Sequence, residues 1–232
     1  DTVKHVEPES WQGPKKAGQQ ALDEYRAANP DQPLPAKDFW MVAEVFPHSV
    51  TRSEYFQSGF DDVINFDFQS ESARDGARCL SNLEPVFAEY AKKLHGEKPF
   101  NVMSYLSSHD TRLFSQMHDD PRLQKRAAST LLLLPGTVQI YYGHESGREF
   151  GPTGSDPHQG TRSDMNWAAI EAGEKKELLE HWRKLGQFRD RHPALGAGEH
   201  KMLDQQPYTF ARTLETPEGA DRVVVAFAEA QK

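Results

Sequence analysis

The chain alternates short apolar segments with longer amphipathic ones, and this alternation limits the folds open to it. Four segments are short, rich in apolar or aromatic residues, and closed by polar residues or glycine, which is typical of buried strands. They are residues 39–44, 63–66, 101–106 and 138–142. Strands that alternate with helices predict a parallel sheet covered by helices, the α/β class.

Three helices are predicted between and after these strands. Before the third strand, apolar residues recur at helical spacing and predict a helix whose stripe lies in the core. These residues are Leu83, Val86, Phe87, Tyr90, Ala91 and Leu94. A second helix is expected to begin at Asp120-Pro121, with proline in its first turn, and a third near Glu174.

The C-terminal region follows a different pattern. Residues 208–212 and 222–227 are rich in apolar residues, and the turn-forming residues 217–219 separate them. They predict a hairpin that opens an antiparallel β domain. We expect residues 1–195 to form the α/β part and residues 196–232 to begin the β domain.

Charge and cysteine content exclude some functions. The net charge of −8 argues against nucleic acid as a partner, because phosphates require a basic surface. A helix needs about 18 consecutive apolar residues to span a membrane, and no apolar run in the sequence is nearly that long. Cys79 is the only cysteine of the 232 residues, so an internal disulfide is impossible.

Three carboxylates form the candidate catalytic set. Glu44 and Asp110 each follow a short apolar run, as residues at the end of a buried strand do, and Asp1 begins the chain. In parallel α/β barrels the active site lies at the carboxyl ends of the strands, so these acids are expected to share one site. Retaining hydrolysis of a glycosidic bond needs one carboxylate as nucleophile and a second as proton donor. Three such carboxylates in one site would meet the requirement of a sugar-cleaving enzyme.

Each acid taken singly is more often a helix cap or a solvated group. The neighbours of these acids favour the functional interpretation, because Lys4 and His5 follow Asp1 and His109 precedes Asp110.

Several ordered segments resemble the α-amylase family of glycoside hydrolases, and most of all the periplasmic α-amylases of bacteria. Residues 1–5 match the end of the family segment Gly-x-Arg-x-Asp-x-x-Lys-His, and residues 43–46, Ala-Glu-Val-Phe, match its acid/base segment. His109-Asp110 match the Asn-His-Asp segment. Further matches lie at residues 59–66, 133–145 and 162–167.

The resemblance implies a role for each candidate. Asp1 is the nucleophile, Glu44 the acid/base residue, and Asp110 grips the sugar at the cleavage point. The implied substrate-binding residues are Lys4, His5 and His109. The implied reaction is hydrolysis of internal α-1,4-glucosidic bonds in starch or maltodextrin, with an α-glucan or maltooligosaccharide as substrate.

The resemblance also implies a particular architecture and surroundings. The fold is then the second half of a (β/α)8 barrel followed by the start of an antiparallel β-sandwich domain. The partner is the missing N-terminal half of the barrel, without which we expect the chain to be inactive. The implied cofactor is calcium, bound in part by the backbone carbonyl of His5, and the implied location is periplasmic or secreted.

Departures from the family pattern leave alternatives open. Ser108 stands where most members have Asn, and His144 where most have Asp. An α-glucosidase or glucanotransferase of the same family remains open, as does a non-catalytic carbohydrate-binding or regulatory barrel, whose signature would be loss of one acid.

Trp40 and Trp167 are candidates to stack on sugar rings, although we expect Trp40 to be buried.

Overall fold

The computed structural model describes residues 3–32, 34, 37–69, 82–156, 159–217 and 219–227. Asp1 and Cys79 lie outside this set.

A four-stranded parallel sheet contains all four predicted strands. Its members are β1 (Val42–Ala43), β2 (Asp62–Asn65), β3 (Val102–Tyr105) and β4 (Thr137–Gln139), in the spatial order β1-β2-β3-β4. Each pairs in parallel with the next in sequence. The strands are shorter than the apolar runs that predicted them, but their number and their parallel arrangement are confirmed.

Helices lie between β2 and β3 and between β3 and β4, as the alternation predicts, and also before and after the parallel sheet. They are α1 (Gln12–Ala28), α2 (Leu83–Leu94), α3 (Phe114–Met117), α4 (Pro121–Leu132), α5 (Trp167–Glu171), α6 (Lys176–Arg191) and α7 (Ala194–Ala197). Short 3-10 turns occupy Val3–His5, Pro8–Trp11, Glu54–Ser58 and Gln159–Arg162. The predicted helices are α2, α4 and α6, and Asp120 caps α4 by accepting a hydrogen bond from the amide of Arg122 at 2.8 Å.

The main core lies between the helices and the sheet. The apolar stripe of α2 is buried as predicted, with Leu83, Phe87 and Leu94 fully covered, and α4 adds Leu131 to the same cluster. Removal of this apolar surface from water is the main force that holds the helices against the strands.

A three-stranded antiparallel sheet follows α7. It contains β5 (Glu199–Gln205), β6 (Tyr208–Thr216) and β7 (Gly219–Ala226), in the order β5-β6-β7. The predicted hairpin is β6 and β7, and β5 is an additional strand. Phe210 of β6 packs edge-on against Phe87 of α2 at 5.5 Å between ring centroids, so the two parts share a core. The proposed domain division at residue 195 stays a prediction.

The expected burial of Trp40 is wrong. Trp40 lies just before β1, which pairs only with β2 among the described strands. The residue is 46% exposed. The indole Nε1 still donates to Oδ2 of the buried Asp62 at 2.6 Å. In the described part of the chain, no helix is long and apolar enough to cross a membrane.

Candidate active site

A cleft of about 470 Å³ lies at the carboxyl ends of the parallel strands. Glu44 follows β1, Phe66 follows β2, Asp110 lies beyond β3, and Gln139 ends β4; all four line the cleft. Because parallel strands end at the same edge of a sheet, residues far apart in sequence meet there. The structure therefore brings together Glu44, His109 and Asp110, as the sequence predicts.

The segment that carries the N-terminal candidates lies beside Glu44. The amide of Val3 donates to the carbonyl oxygen of Glu44 at 3.1 Å, and Nζ of Lys4 donates to the carbonyl oxygen of Phe46 at 2.6 Å. Lys4 thus contacts a residue that lines the cleft. His5 is exposed at the end of the first 3-10 turn, and Asp1 lies outside the described residues.

Tyr105 connects the two described carboxylates. Burial, together with the negative charges of Glu44 and Asp110, raises the pKa of its phenol to about 12. Both carboxylates are therefore within electrostatic reach of one hydroxyl group at the end of β3. The sequence analysis missed Tyr105, although its position in the strand before Asp110 was a usable signal.

Aromatic rings form one wall of the cleft. Phe46 packs edge-on against Phe66 at 5.0 Å between centroids, and Phe66 packs edge-on against Tyr105 at 6.1 Å. Phe46 is 60% exposed, so its ring is open to solvent beside the acids. An exposed aromatic ring next to carboxylates suits a ligand with both apolar faces and hydroxyl groups.

His109 and Asp110 lie in a turn after β3. The amide of Asp110 donates to Oγ of Ser108 at 3.2 Å, and the amide of Ser108 donates to Oγ1 of Thr111 at 2.8 Å. The His109 imidazole Nε2 lies 3.2 Å from Oδ2 of Asp110, and their side chains are 49% and 60% exposed. Ser108 therefore shapes the turn that presents both side chains to the cleft.

A second loop reaches this turn. Oγ1 of Thr161 donates to the carbonyl oxygen of His109 at 2.7 Å, and Arg162 donates to the same oxygen at 3.2 Å. The other terminal nitrogen of Arg162 lies 3.4 Å from Oδ1 of Asp110. The sequence analysis recognised this loop only as a matching segment and assigned no contact to Arg162.

Behind the turn, Ser107 contacts His144. Oγ of Ser107 accepts a hydrogen bond from the amide of Phe114 at 3.1 Å, so its proton is free to bond Nε2 of His144. Burial lowers the pKa of His144 to about 4. The imidazole is consequently neutral near pH 7, and one hydrogen bond joins its Nε2 to Oγ of Ser107.

The calcium site that the resemblance implies stays a prediction for the described residues. Among them, no group of three or more His, Cys, Asp or Glu side chains is placed to hold a metal ion. Calcium takes six to eight oxygen ligands, and the carbonyl of His5 would supply one.

Comparison with known proteins shows the family to which the chain belongs. Residues 4–165 match the alpha-amylase family, in its catalytic domain. The chain belongs to this family of glycoside hydrolases. Over its full length it is 49% identical to the periplasmic alpha-amylase of Escherichia coli K12, of which it covers 32%. The chain thus spans about one third of that relative's length.

Solved structures agree on the fold. The cyclic alpha-maltosyl-(1→6)-maltose hydrolase of Arthrobacter globiformis superimposes with a TM-score of 0.55 over 97% of this chain and 47% of that chain, at 22% identity. The debranching enzyme of Nostoc punctiforme matches with a TM-score of 0.50 over 85% of this chain and 41% of that one, at 30% identity.

Proposed function

We propose that the chain carries most of the active site of a retaining glycoside hydrolase that cuts internal α-1,4-glucosidic bonds of starch or maltodextrin. The observation that carries the proposal is that Glu44 and Asp110 line one cleft around Tyr105. The whole-length similarity to a periplasmic alpha-amylase supports the choice of substrate and a periplasmic or secreted location.

The reaction proceeds in two displacements. First, a carboxylate oxygen of Asp1 attacks the anomeric carbon, the glycosidic C–O bond breaks, and Glu44 gives its proton to the leaving oxygen. Then the Glu44 carboxylate removes a proton from water, whose oxygen attacks the anomeric carbon and releases Asp1 as a carboxylate. Asp110 and His109 bind hydroxyl groups of the distorted sugar, which favours the transition state over the ground state.

The neighbours of these residues suit them to the task. Lys4 and His5 lie on the segment that begins beside Glu44, where they extend the substrate groove. The open ring of Phe46 offers a face to the C–H surface of a sugar. Trp167 is 65% exposed and stays a candidate for sugar stacking elsewhere.

We place the four parallel strands in the second half of a (β/α)8 barrel, with the antiparallel sheet as the start of a β-sandwich domain. Among the described strands, β1 and β4 each have one neighbour, so the outer edge of each is open to pair with another strand. The missing N-terminal half of the barrel is the proposed partner. Calcium, if bound, takes most of its ligands from that half.

The competing functions differ in their products. The test incubates the full-length polypeptide that contains this chain with a long linear α-1,4-glucan and follows product lengths over time. Internal fragments of mixed length support the proposal. Release of single glucose units identifies an α-glucosidase, and lengthened chains identify a glucanotransferase. A full-length polypeptide that binds the glucan and leaves it intact is the non-catalytic barrel, although all three acids are present.

A further inference from the structure

Arg162 links the loop before α5 to the turn that carries Asp110. Its guanidinium lies 3.4 Å from Oδ1 of Asp110, donates to the carbonyl oxygen of His109 at 3.2 Å, and lies 3.9 Å from Oδ2 of Asp156. Thr161, the preceding residue, donates to the same carbonyl of His109 at 2.7 Å. Thr161 and Arg162 therefore both hydrogen-bond to the backbone of the turn, and Arg162 also contacts the side chain of Asp110.

A buried arginine holds this loop from behind. Arg148 is 3% exposed, and its guanidinium donates to the carbonyl oxygens of Thr161 at 2.9 Å and Ser163 at 3.1 Å. It stacks over the ring of Tyr142 at 3.9 Å and donates to the Tyr142 carbonyl oxygen at 3.1 Å. Because Arg148 fixes the residues on both sides of Arg162, the backbone from which Arg162 extends is rigid.

We propose that Arg162 is a positioning residue for Asp110, holding its carboxylate and the His109 backbone in the geometry that grips the sugar. The inference rests on the function proposed above, because it assigns Asp110 its sugar-binding role. The guanidinium suits this task, since its planar fork reaches a carboxylate and a carbonyl at once from a fixed plane. One nitrogen faces Oδ1 of Asp110 and the other the His109 carbonyl.

A positioning role and a structural role for Arg162 predict different effects of its removal, the first on the catalytic rate and the second on folding stability. The side chains of Arg162 and Asp110 are 45% and 60% exposed, and an exposed ion pair adds little to folding stability. A reacting group displaced by about 1 Å, in contrast, can lower the rate about a hundredfold. Loss of Arg162 is therefore expected to lower the catalytic rate while leaving the folded protein intact.

The test uses the full-length polypeptide with Arg162→Gln and Arg162→Lys, and Arg183→Gln as the matched control. Arg183 is an exposed arginine of α6 that pairs with Glu180 at 2.6 Å, away from the cleft. We expect Arg162→Gln to lower kcat about tenfold to a hundredfold, with KM within about threefold of the wild type and the melting temperature unchanged. Arg162→Lys, which keeps the charge, should recover part of kcat, and Arg183→Gln should match the wild type.

Three outcomes would overturn the inference. In the first, Arg162→Gln keeps kcat within about twofold of the wild type. In the second, only KM rises, which makes Arg162 a direct substrate contact. In the third, kcat and melting temperature fall together and Arg162→Lys restores neither, which makes its role structural. A wild-type protein that fails to cleave α-1,4-glucan contradicts the proposed function itself, so the two failures are distinguished.

Discussion

The carboxylate of Glu84 accepts a hydrogen bond from Nε2 of His200 at 2.9 Å and joins α2 to the antiparallel sheet. The direction is fixed because Nε of Arg212 donates to the other ring nitrogen of His200 at 3.2 Å. The hydroxyl of Tyr208 donates to the same oxygen of Glu84 at 2.7 Å. One carboxylate therefore satisfies two donors from two strands.

Glu84→Gln should lower the melting temperature of the full-length protein. The variant loses charge-assisted hydrogen bonds at a site where the His200 side chain is 2% exposed, a loss of about 1 to 3 kcal/mol. Thermal unfolding followed by circular dichroism measures the shift. The control is Glu89→Gln, on the same helix, whose exposed pair with Lys93 at 2.6 Å is worth about 0.5 kcal/mol or less. Equal shifts for both variants would refute the role assigned to Glu84.

His144 should make stability depend on pH on the acid side. Its pKa is about 4 in the folded protein and 6.5 ordinarily, because burial disfavours the imidazolium. Between these values the unfolded chain binds a proton that the folded chain does not, so stability is present above 6.5 and is lost as the pH falls towards 4. Melting temperatures at about pH 7.5 and about pH 5 should differ less in His144→Gln than in the wild type. Identical differences would contradict the prediction.

Asp62 should make stability depend on pH in the opposite direction, so that stability falls as the pH rises. Burial raises its pKa from 3.8 to about 6, which outweighs the hydrogen bonds from Trp40 and Thr137. A raised carboxyl pKa gives stability that is present at low pH and is lost as the pH rises through about 6. Asp62→Asn keeps an acceptor for both donors and removes the buried charge. It should therefore raise the melting temperature at about pH 7.5, with a smaller gain at about pH 5.

The neighbouring carboxylate provides the control for Asp62. Asp61 is 40% exposed and pairs with Lys15 at 2.6 Å, so Asp61→Asn removes a favourable contact at both pH values. A lower melting temperature for Asp62→Asn than for the wild type at neutral pH would contradict the prediction.

The sequence revealed those elements whose apolar residues are buried. Strands β2 and β3 and helix α2 could be predicted because their apolar side chains are largely buried, which leaves a recognisable pattern of apolar residues in the sequence. In contrast, α1 buries none of its side chains, and β5 is exposed along almost its whole length. Neither has an apolar stripe that would have marked it.

Some features of the candidate site could likewise be predicted from the sequence, and others could not. Glu44 and Asp110 were predictable because each follows a strand, and strand ends meet at one edge of a parallel sheet. The contact between Arg162 and Asp110 was not, since the two residues are 52 positions apart and meet only through the path of an irregular loop. That path is set by the buried Arg148, whose role depends on backbone carbonyls that no sequence pattern marks.

The most direct test of the central claim replaces the proposed proton donor in the full-length polypeptide. Glu44→Gln keeps the size and hydrogen-bonding capacity of the side chain but cannot donate and recover the proton. We expect turnover of α-1,4-glucan to be abolished while maltooligosaccharide binding, measured by calorimetry, remains detectable. Glu54→Gln, in the 3-10 turn Glu54–Ser58, is the control and should keep full activity. Retained turnover in Glu44→Gln would contradict the assignment of Glu44 as the acid/base residue.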